Sequence, residues 1–332
     1  MMDWRKGFTA GYVLAEVDPA TWNDVRFYNF TGGSISRSET DQSADLNLTE
    51  RLDEKWIRIY LNAQQVSGSA HVALFTGITS TPERQINGTR ENFATDCYSV
   101  LKPAEDMLLQ RGYYAPQGVN AALLAAELLR VGPAPVEYAE PAPKLQEPII
   151  AEDSETNLTM AQKLMDAIGW MIRIDGIGMI RICPKPTEIA ARFDAIDGDA
   201  IEPQLSDVED WFDCPNCLRV SSGENTVELK DEDPNSRLST VSRGREIWQQ
   251  ESSVTLGDRE TLYEYAVRKL QELQSPARTR SYSRRFDPNV FPGDLIELHY
   301  PRQKIMGRHR VSTQAITIGY GCRTSEEAVY EP

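Results

Sequence analysis

The stretch Thr159–Ile182, TMAQKLMDAIGWMIRIDGIGMIRI, carries the clearest local fold signal in the chain. Thr159 and Gln162 have the spacing of a capping box at a helix start, and Gly169 suits the left-handed residue that ends a helix. The apolar residues between them fall on one face, as in a helix that packs on a core. They are Ala161, Leu164, Met165 and Ile168. The pattern predicts one amphipathic helix.

The second half of this stretch, WMIRIDGIGMIRI, is nearly symmetric about Asp175-Gly176. These residue types accept the positive φ angles of a type I′ turn, which joins two antiparallel strands. We therefore expect a β-hairpin with strands over 170–174 and 177–182. A helix that leads directly into a hairpin makes a small α/β module.

Alternation typical of β-strands lies on both sides of this module. WIRIYL places Ile57, Ile59 and Leu61 on one face, and NTVELK and DLIELHY alternate in the same way further along. One helix interrupts the later strands, over 258–274, with Asp258 as its predicted N-cap. The predicted fold class is α+β, mainly β, with two β-barrel-like domains and a small α/β insertion between them.

The predicted domain boundaries follow these changes of pattern. The N-terminal β-barrel domain covers residues 1–104, the inserted α/β module covers 105–190, and the second β-barrel domain covers 191–332 and holds the helix at 258–274. From 193 to 213 the chain is acidic and loop-like, and an alternative is that the stretch 191–213 returns to the first barrel. A chain of 332 residues is expected to hold about two to three domains.

Charge and composition restrict the functions that the chain can have. Fifty acidic against 35 basic residues give a net charge of −15, which argues against a protein that grips nucleic-acid phosphates over its whole surface. No apolar run approaches the roughly 18 residues of a membrane span, and the first residues lack the apolar stretch of a secretory signal. Five irregularly spaced cysteines do not describe a disulfide framework. We expect a protein that folds in a cytoplasm-like compartment.

The pair Cys214 and Cys217, in WFDCPNCLRV, has the spacing of a zinc knuckle or a redox dithiol. A redox dithiol needs its first cysteine at a helix N-terminus, whereas Cys217 leads into the strand-like LRVSS. A zinc site needs two more ligands, but the remaining cysteines and histidines are scattered: Cys97, Cys183, Cys322, His71, His299 and His309. We expect the pair to be incidental, with a zinc site shared between subunits as the alternative.

Two charged segments have both a functional and a structural interpretation. Asp194, Asp197 and Asp199 suggest calcium, but DAIDGDAIE lacks the spacing of an EF-hand loop, so a solvated acidic loop is preferred. RTRSYSRR places four residues on one strand face, suited to a nucleic-acid backbone or to the acidic surface of a neighbouring subunit. In so acidic a chain we expect the second role. The four residues are Arg278, Arg280, Tyr282 and Arg284.

Catalytic signatures do not stand out in the sequence. The chain contains no G-x-S-x-G, no H-E-x-x-H and no glycine-rich phosphate loop. Carboxylates are too numerous to single out a glycosidase pair, and no histidine lies near a cysteine or serine motif. The sequence favours a structural protein, without catalytic, cofactor-binding or metal-binding residues, over an enzyme.

Several longer segments follow one another in a recognisable order: DPATWNDVRFYNFTGGSISRSETDQSADLNL, LLQRGYYAPQGVNAALLAAELL, NLTMAQKLMDAIGWMIRIDGIGMIRICP, DPNSRLSTVSRGREIW, the helix at 258–274 and FDPNVFPGDLIELHYPRQKIMGRHRVSTQAITIGYG. In this order they resemble the hub proteins of phage baseplates and tail tips. The likeness spans nearly the whole chain and rests on structural motifs rather than on catalytic ones. Cys214 and Cys217 are not an expected feature of that family.

The resemblance implies a homotrimer whose six β-barrels form a pseudo-sixfold ring. Such a hub joins the sixfold tail tube, or a distal tail protein, to a threefold spike or tail fibre, and a tape measure protein is a further candidate partner. DNA would only pass through the channel, whose wall we expect to be acidic. The implied location is the virion tail of a phage, or a related contractile injection system, assembled in the bacterial host cytoplasm. The alternatives are a tail-associated cell-wall hydrolase and a zinc- or thiol-dependent binding module.

Overall fold

The computed structural model describes residues 2–196, 198, 200–209, 211–222, 225–252, 254, 261–274 and 278–331. The chain forms two compact units. Unit 1 combines Met1–Leu205 with Ser281–Pro332, and unit 2 is Ser206–Arg280. Unit 2 is therefore an insertion between two parts of the chain that fold together.

The elements of unit 1 before unit 2 begin with eight strands, continue through the module and end with two more strands. They are β1 Thr9–Val17, β2 Asp24–Tyr28, β3 Phe30–Ser38, β4 Gln42–Leu48, β5 Trp56–Gln65, β6 Gly68–Thr79, β7 Glu83–Asn87, β8 Arg90–Ser99, α1 Lys102–Asp106, β9 Tyr114–Ala115, α2 Ala121–Leu129, β10 Val136–Tyr138, β11 Ile149–Ile150, α3 Asn157–Ile168, β12 Trp170–Ile174, β13 Ile180–Pro184, β14 Ile189–Asp194 and β15 Ile201–Glu209.

The remaining elements are those of unit 2 and those of the second part of unit 1. They are β16 Cys217–Ser222, β17 Asn225–Lys230, α4 Thr240–Arg243, β18 Trp248–Ser252, α5 Leu262–Leu273, β19 Arg278–Arg285, β20 Leu295–Tyr300, β21 Ile305–Ile318 and β22 Arg323–Glu331, with single-turn 3-10 helices at Pro301–Gln303 and Tyr320–Cys322. The boundaries of unit 2 fall inside β15 and β19.

One large sheet organises unit 1. Neighbouring strands follow the order β15-β19-β22-β21-β3-β4-β8-β6-β5-β1-β2, while β20 pairs with β14 and β21, and β7 pairs with β8. Most pairs are antiparallel, and β14–β20 is parallel. The late strand β21 lies against the early strand β3, with Ile316 opposite Ile35, and both residues are fully buried. The fold class is α+β and mainly β, as predicted. The domain boundaries at 104 and 190 remain a prediction.

The module has its own core of alanine, leucine and methionine. Helices α2 and α3 pack together, and β10 joins the hairpin strand β13 in parallel register. Its buried residues include Ala122, Ala125, Ala126, Met160, Leu164 and Ile182. None of the helices in the described part of the chain has the length and apolarity of a membrane span.

Helix α3 begins earlier than predicted. Thr156 is the N-cap, because its hydroxyl accepts a hydrogen bond from Thr159 N at 3.2 Å while Thr159 Oγ1 accepts one from Thr156 N at 2.9 Å. Thr159 is therefore the third helical residue of the capping box and not its first partner. The helix ends as predicted at Gly169, whose φ is +69°.

The hairpin forms, but the predicted type I′ turn at Asp175-Gly176 is wrong. Ile174 pairs with Ile180, so the connection spans the five residues between them and the second strand begins at Ile180 instead of 177. The positive φ lies at Gly178. Gly176 serves a close approach instead, since a Cβ there would lie 1.9 Å from the Ala73 carbonyl oxygen. The sheet against which the turn packs therefore sets its shape.

Unit 2 is a three-stranded sheet, in the order β17-β16-β18, with α5 packed on one face. Its core is formed by Leu218, Val220, Ala266 and Leu270. Helix α5 begins at Leu262, with Thr261 as N-cap and Glu264 completing the capping box. The predicted N-cap Asp258 lies outside the described residues.

Candidate functional site

A chain of buried polar side chains ties together four neighbouring strands of unit 1. Arg284 Nε on β19 lies 2.8 Å from Glu326 Oε2 on β22, and both side chains are fully buried. Gln314 on β21 donates to Glu326 Oε1 at 2.7 Å and accepts from Arg37 Nη1 on β3 at 2.8 Å. The bonded series Arg284–Glu326–Gln314–Arg37 thus crosses the junction between late and early strands.

A second ion pair holds the module against the sheet. Arg173 on β12 makes a bidentate bond to Asp294, with distances of 2.8 and 3.1 Å. The guanidinium groups of Arg173 and Arg37 both lie close to the ring of Phe291, at 4.7 and 4.9 Å from its centre. The Arg173 guanidinium is therefore held by the Asp294 carboxylate on one side and by the Phe291 ring on another.

The turn of the module hairpin is held by donors from the sheet. Thr76 Oγ1 donates to Gly176 O at 2.8 Å, and Arg58 Nη2 donates to Ile177 O at 3.1 Å. Trp22 Nε1 donates to the same Ile177 oxygen at 3.0 Å. Because the turn carbonyls accept hydrogen bonds from these side chains, the module is held in a defined position on the sheet.

Strand β2 presents an apolar edge to solvent. It is the last strand in the sheet order and pairs with β1 alone among the described strands. Val25 and Phe27 point to the same side and are 61% and 63% exposed. A free edge strand that carries apolar side chains is typical of a surface that is covered in an assembly.

Strand β2 is attached to the sheet through a carboxylate. Tyr28 OH donates to Glu16 Oε2 at 2.6 Å, and Lys55 Nζ lies 3.0 Å from Glu16 Oε1. The hydrogen bond from Tyr28, followed by the contacts with Lys55, holds the pKa of Glu16 below its ordinary value of 4.5. The edge strand is therefore fixed most firmly when Glu16 is ionised.

The two cysteines of the CPNC sequence are buried, and Asn216 between them organises the loop. The Asn216 side chain accepts from Ile247 N at 2.7 Å and donates to the carbonyl oxygens of Leu238 and Arg245, each at 3.0 Å. Burial raises the pKa of the Cys217 thiol, which disfavours the thiolate that binds metals or attacks disulfides. The described residues contain no group of three or more metal-ligating side chains.

Asp194, the first aspartate of the acidic segment, is paired within the fold. His299 Nδ1 lies 2.6 Å from Asp194 Oδ1, and Arg192 Nε lies 3.5 Å from Oδ2. The contact with His299 lowers the pKa of Asp194. Asp197 and Asp199 lie outside the described residues.

The arginine-rich strand does not face a neighbouring subunit as predicted. Arg280, Tyr282 and Arg284 are buried, and only Arg278 of the four is exposed. Within unit 2, Arg280 Nε lies 3.1 Å from Asp207 and Arg278 Nε lies 2.8 Å from Glu209. The acidic partners belong to the same chain. The complementary segment SDVE, residues 206–209, was the signal that could have revealed this pairing.

Sequence patterns missed the buried or partly buried arginines and the apolar edge. The alternation of WIRIYL assigned Arg58 to the side opposite Ile57 and Ile59, and the hairpin turn covers that side. The segments that contain Arg37 and Arg173 gave no sign of the contacts that these two side chains make. Val25 and Phe27, in DVRFY, show two-residue alternation, and that is the signal which could have indicated β2.

Several solved structures share the fold of this chain. The 43 kDa tail protein of prophage MuSo2 from Shewanella oneidensis matches 97% of this chain with 96% of its own, at a TM-score of 0.69 and 13% identity. A tail protein from Neisseria meningitidis MC58 matches 97% of both chains, at 0.68 and 13%. An E. coli component of the type VI secretion system, described as similar to T4 bacteriophage tail proteins, matches 92% of this chain with 75% of its own, at 0.51 and 7%.

Sequence comparison alone finds less. No protein-family model matches the chain, and no curated protein matches it. The resemblance inferred from the order of the sequence segments is confirmed at the level of the fold, which is that of phage tail proteins.

Proposed function

We propose that this chain is a structural hub of the baseplate or tail tip of a phage or phage-tail-like particle. The observation that carries the proposal is the shared fold, since two tail proteins match this chain over at least 96% of both partners. The likeness to a component of the type VI secretion system supports the wider class of injection systems. The corresponding location is the virion tail, assembled in the cytoplasm of the bacterial host.

In the proposed assembly three copies form a ring. Each copy contributes two β-barrel domains, over 1–104 and 191–332, and the module over 105–190 lies between them. Three copies with two similar domains each present six similar surfaces, which meet a sixfold tail tube or distal tail protein on one side. The threefold symmetry of the ring matches a spike or tail fibre on the other side, and a tape measure protein is a further candidate partner.

The apolar edge of β2 supports the proposed homotrimer. Val25 and Phe27 are exposed in the isolated chain, and the outer backbone groups of β2 have no partner strand among the described residues. Contact with the next copy would cover both features. We place a subunit interface at this edge.

The charge of −15 supports a channel through which DNA moves. Basic residues on the wall would hold phosphates by releasing counterions, whereas acidic residues repel the duplex and leave it mobile. Acidic side chains of the barrels would therefore line the channel. In this role the chain acts by its shape and charge, without catalysis.

Electron microscopy of the purified protein mixed with tail tubes tests the proposal. We expect rings bound end-on to the tubes and a mass of three copies, in solution or in the tube-bound complex. Protein that does not bind the ends of the tubes would contradict the proposed role as a hub. Digestion of purified peptidoglycan in a zymogram would instead favour the cell-wall hydrolase, and near-stoichiometric zinc in metal analysis would favour the zinc-dependent module.

A further inference from the structure

A small cavity lies where the module strand β12 faces the turn between β3 and β4. Its walls come from Arg37–Gln42, from Met171–Ile174 and from Phe291 and Pro292. About 20 Å³ of the cavity is open to the centre of a water molecule. A buried site that holds one water needs roughly 10–15 Å³ by this measure, so the cavity has room for water.

Two buried side chains at this cavity have unused hydrogen-bonding groups. Gln42 is 4% exposed, and neither its amide nitrogen nor its amide oxygen has a hydrogen-bond partner among the described residues. Arg37 Nε also has none there, although its other nitrogens bond to Gln314 and to the carbonyl oxygen of Leu74. Arg37 and Gln42 are direct cross-strand partners on β3 and β4. Buried polar groups in folded proteins are nearly always satisfied by protein or by ordered water.

We propose that this cavity is a binding site for ordered water, held by Arg37 and Gln42 at the joint between the module and the sheet. Water accepts hydrogen bonds from Arg37 Nε and Gln42 Nε2, and it donates to Gln42 Oε1. A small anion would accept from the two nitrogens but would leave the Gln42 oxygen unpaired. The mixture of unused donors and an unused acceptor therefore selects water.

The site lies beside the ion pair that anchors the module. Arg173, which forms a wall of the cavity, binds Asp294 on the opposite side of the joint. Water in the cavity fills the space between β12 and the β3–β4 turn, and it completes the hydrogen bonding of Arg37 and Gln42. The position of the module on the sheet thus depends on bound water as well as on direct hydrogen bonds and ion pairs.

A high-resolution crystal structure of the full chain tests the proposal directly. We expect at least one water peak within hydrogen-bonding distance of both Arg37 and Gln42. An empty cavity overturns the proposal. Crystals grown in bromide supply a second test, because an anomalous halide peak in the cavity would show an anion site in place of the water site.

Thermal unfolding of the variant Gln42→Met supplies an independent readout. If water satisfies the amide, the apolar side chain removes good hydrogen bonds and the Tm falls by several degrees. If no water binds the amide, the same substitution removes two unsatisfied polar groups, and the Tm stays the same or rises. That result would overturn the proposal. Gln64→Met, at an exposed position of β5, is the matched control and leaves the Tm unchanged.

Discussion

At the scale of single residues, the pair Arg284–Glu326 should tolerate the loss of one partner poorly, because both side chains are fully buried. Arg284→Met leaves the Glu326 carboxylate in the core without its cation. We expect the free energy of unfolding to fall by about 3–5 kcal/mol, as when one partner of a buried ion pair is removed. Urea denaturation measures this loss.

Two companion variants show that the loss comes from the unpaired charge. Arg284→Met combined with Glu326→Met removes both charges and should restore much of the stability. Arg51→Met breaks the exposed pair with Asp53 and should leave the urea midpoint unchanged. An Arg284→Met protein as stable as the wild type would contradict the role of the pair.

Glu16 predicts an acid dependence of stability. Its pKa is lowered in the folded chain, mainly by the hydrogen bond from Tyr28, so its contribution is fully present above the unfolded value near 4.5. The contribution is lost as the pH falls through the lower folded pKa. The Tm difference between the wild type and Glu16→Gln should therefore be constant above this range and shrink below it.

Thermal unfolding at a series of pH values measures this difference. Tyr28→Phe removes the main donor, and the Tm difference between Tyr28→Phe and a protein that also carries Glu16→Gln should depend less on pH. A difference between the wild type and Glu16→Gln that grows towards acid pH is incompatible with the lowered pKa of Glu16.

At the scale of elements, the hairpin turn of the module has no room for added volume at Gly176. Gly176→Ala would place a methyl group 1.9 Å from the backbone oxygen of Ala73, so either the turn or β6 must move. We expect a loss of stability of about 1–3 kcal/mol or more, the usual effect of overpacking. Chemical denaturation measures it.

A glycine in open surroundings provides the control for that variant. Gly11→Ala, in β1, would meet its neighbours only at 3.8 Å or more, which is ordinary van der Waals contact. Its effect should be much smaller than that of Gly176→Ala. Equal effects of the two variants would show that glycine content alone, and not the contact with Ala73, determines the result.

Local elements were predictable where the decisive contacts are local. The left-handed residue Gly169 and the pairing of β12 with β13 follow from residues within the same stretch. The start of α3 was misplaced because Thr156 offers a cap three residues before Thr159. The turn around Gly176 was not predictable, because β6, about a hundred residues earlier in the chain, determines its shape.

At the scale of the whole molecule, the edge strand β2 predicts the behaviour of the assembly. Phe27→Asp places a charge on the exposed apolar side of this edge. Because the side chain is 63% exposed, the fold should persist, while association should weaken by about tenfold or more, as at an interface hot spot. Size-exclusion chromatography with light scattering, on the chain alone or mixed with tail tubes, measures the change from the proposed trimer to the monomer.

An exposed apolar residue away from any edge strand serves as the control. Val66→Asp, in the turn between β5 and β6, changes charge and hydropathy in the same way and should leave the proposed trimer intact. A trimer that survives Phe27→Asp removes β2 from the interface.

The polar contacts of Arg37 and Arg173 could not be predicted from the sequence because their partners are distant in the chain. Arg37 and Gln314 are separated by 277 positions. Arg173 and Asp294, whose ion pair holds the module against the sheet, are separated by 121 positions. No periodicity reports such pairs. The arginine-rich strand was predicted wrongly for a different reason, since its pattern showed the charge but not which side the sheet would bury.

The insertion of unit 2 between two parts of unit 1 has a consequence for biosynthesis. On the ribosome, β3 is made long before β21, which lies beside it in the finished sheet and supplies Gln314 for Arg37. Until β21 has been synthesised, the edge of β3 in the nascent sheet lacks its partner strand and is prone to associate with other chains. A premature stop codon just before β21 should therefore yield aggregates in the cell rather than a shortened but usable protein.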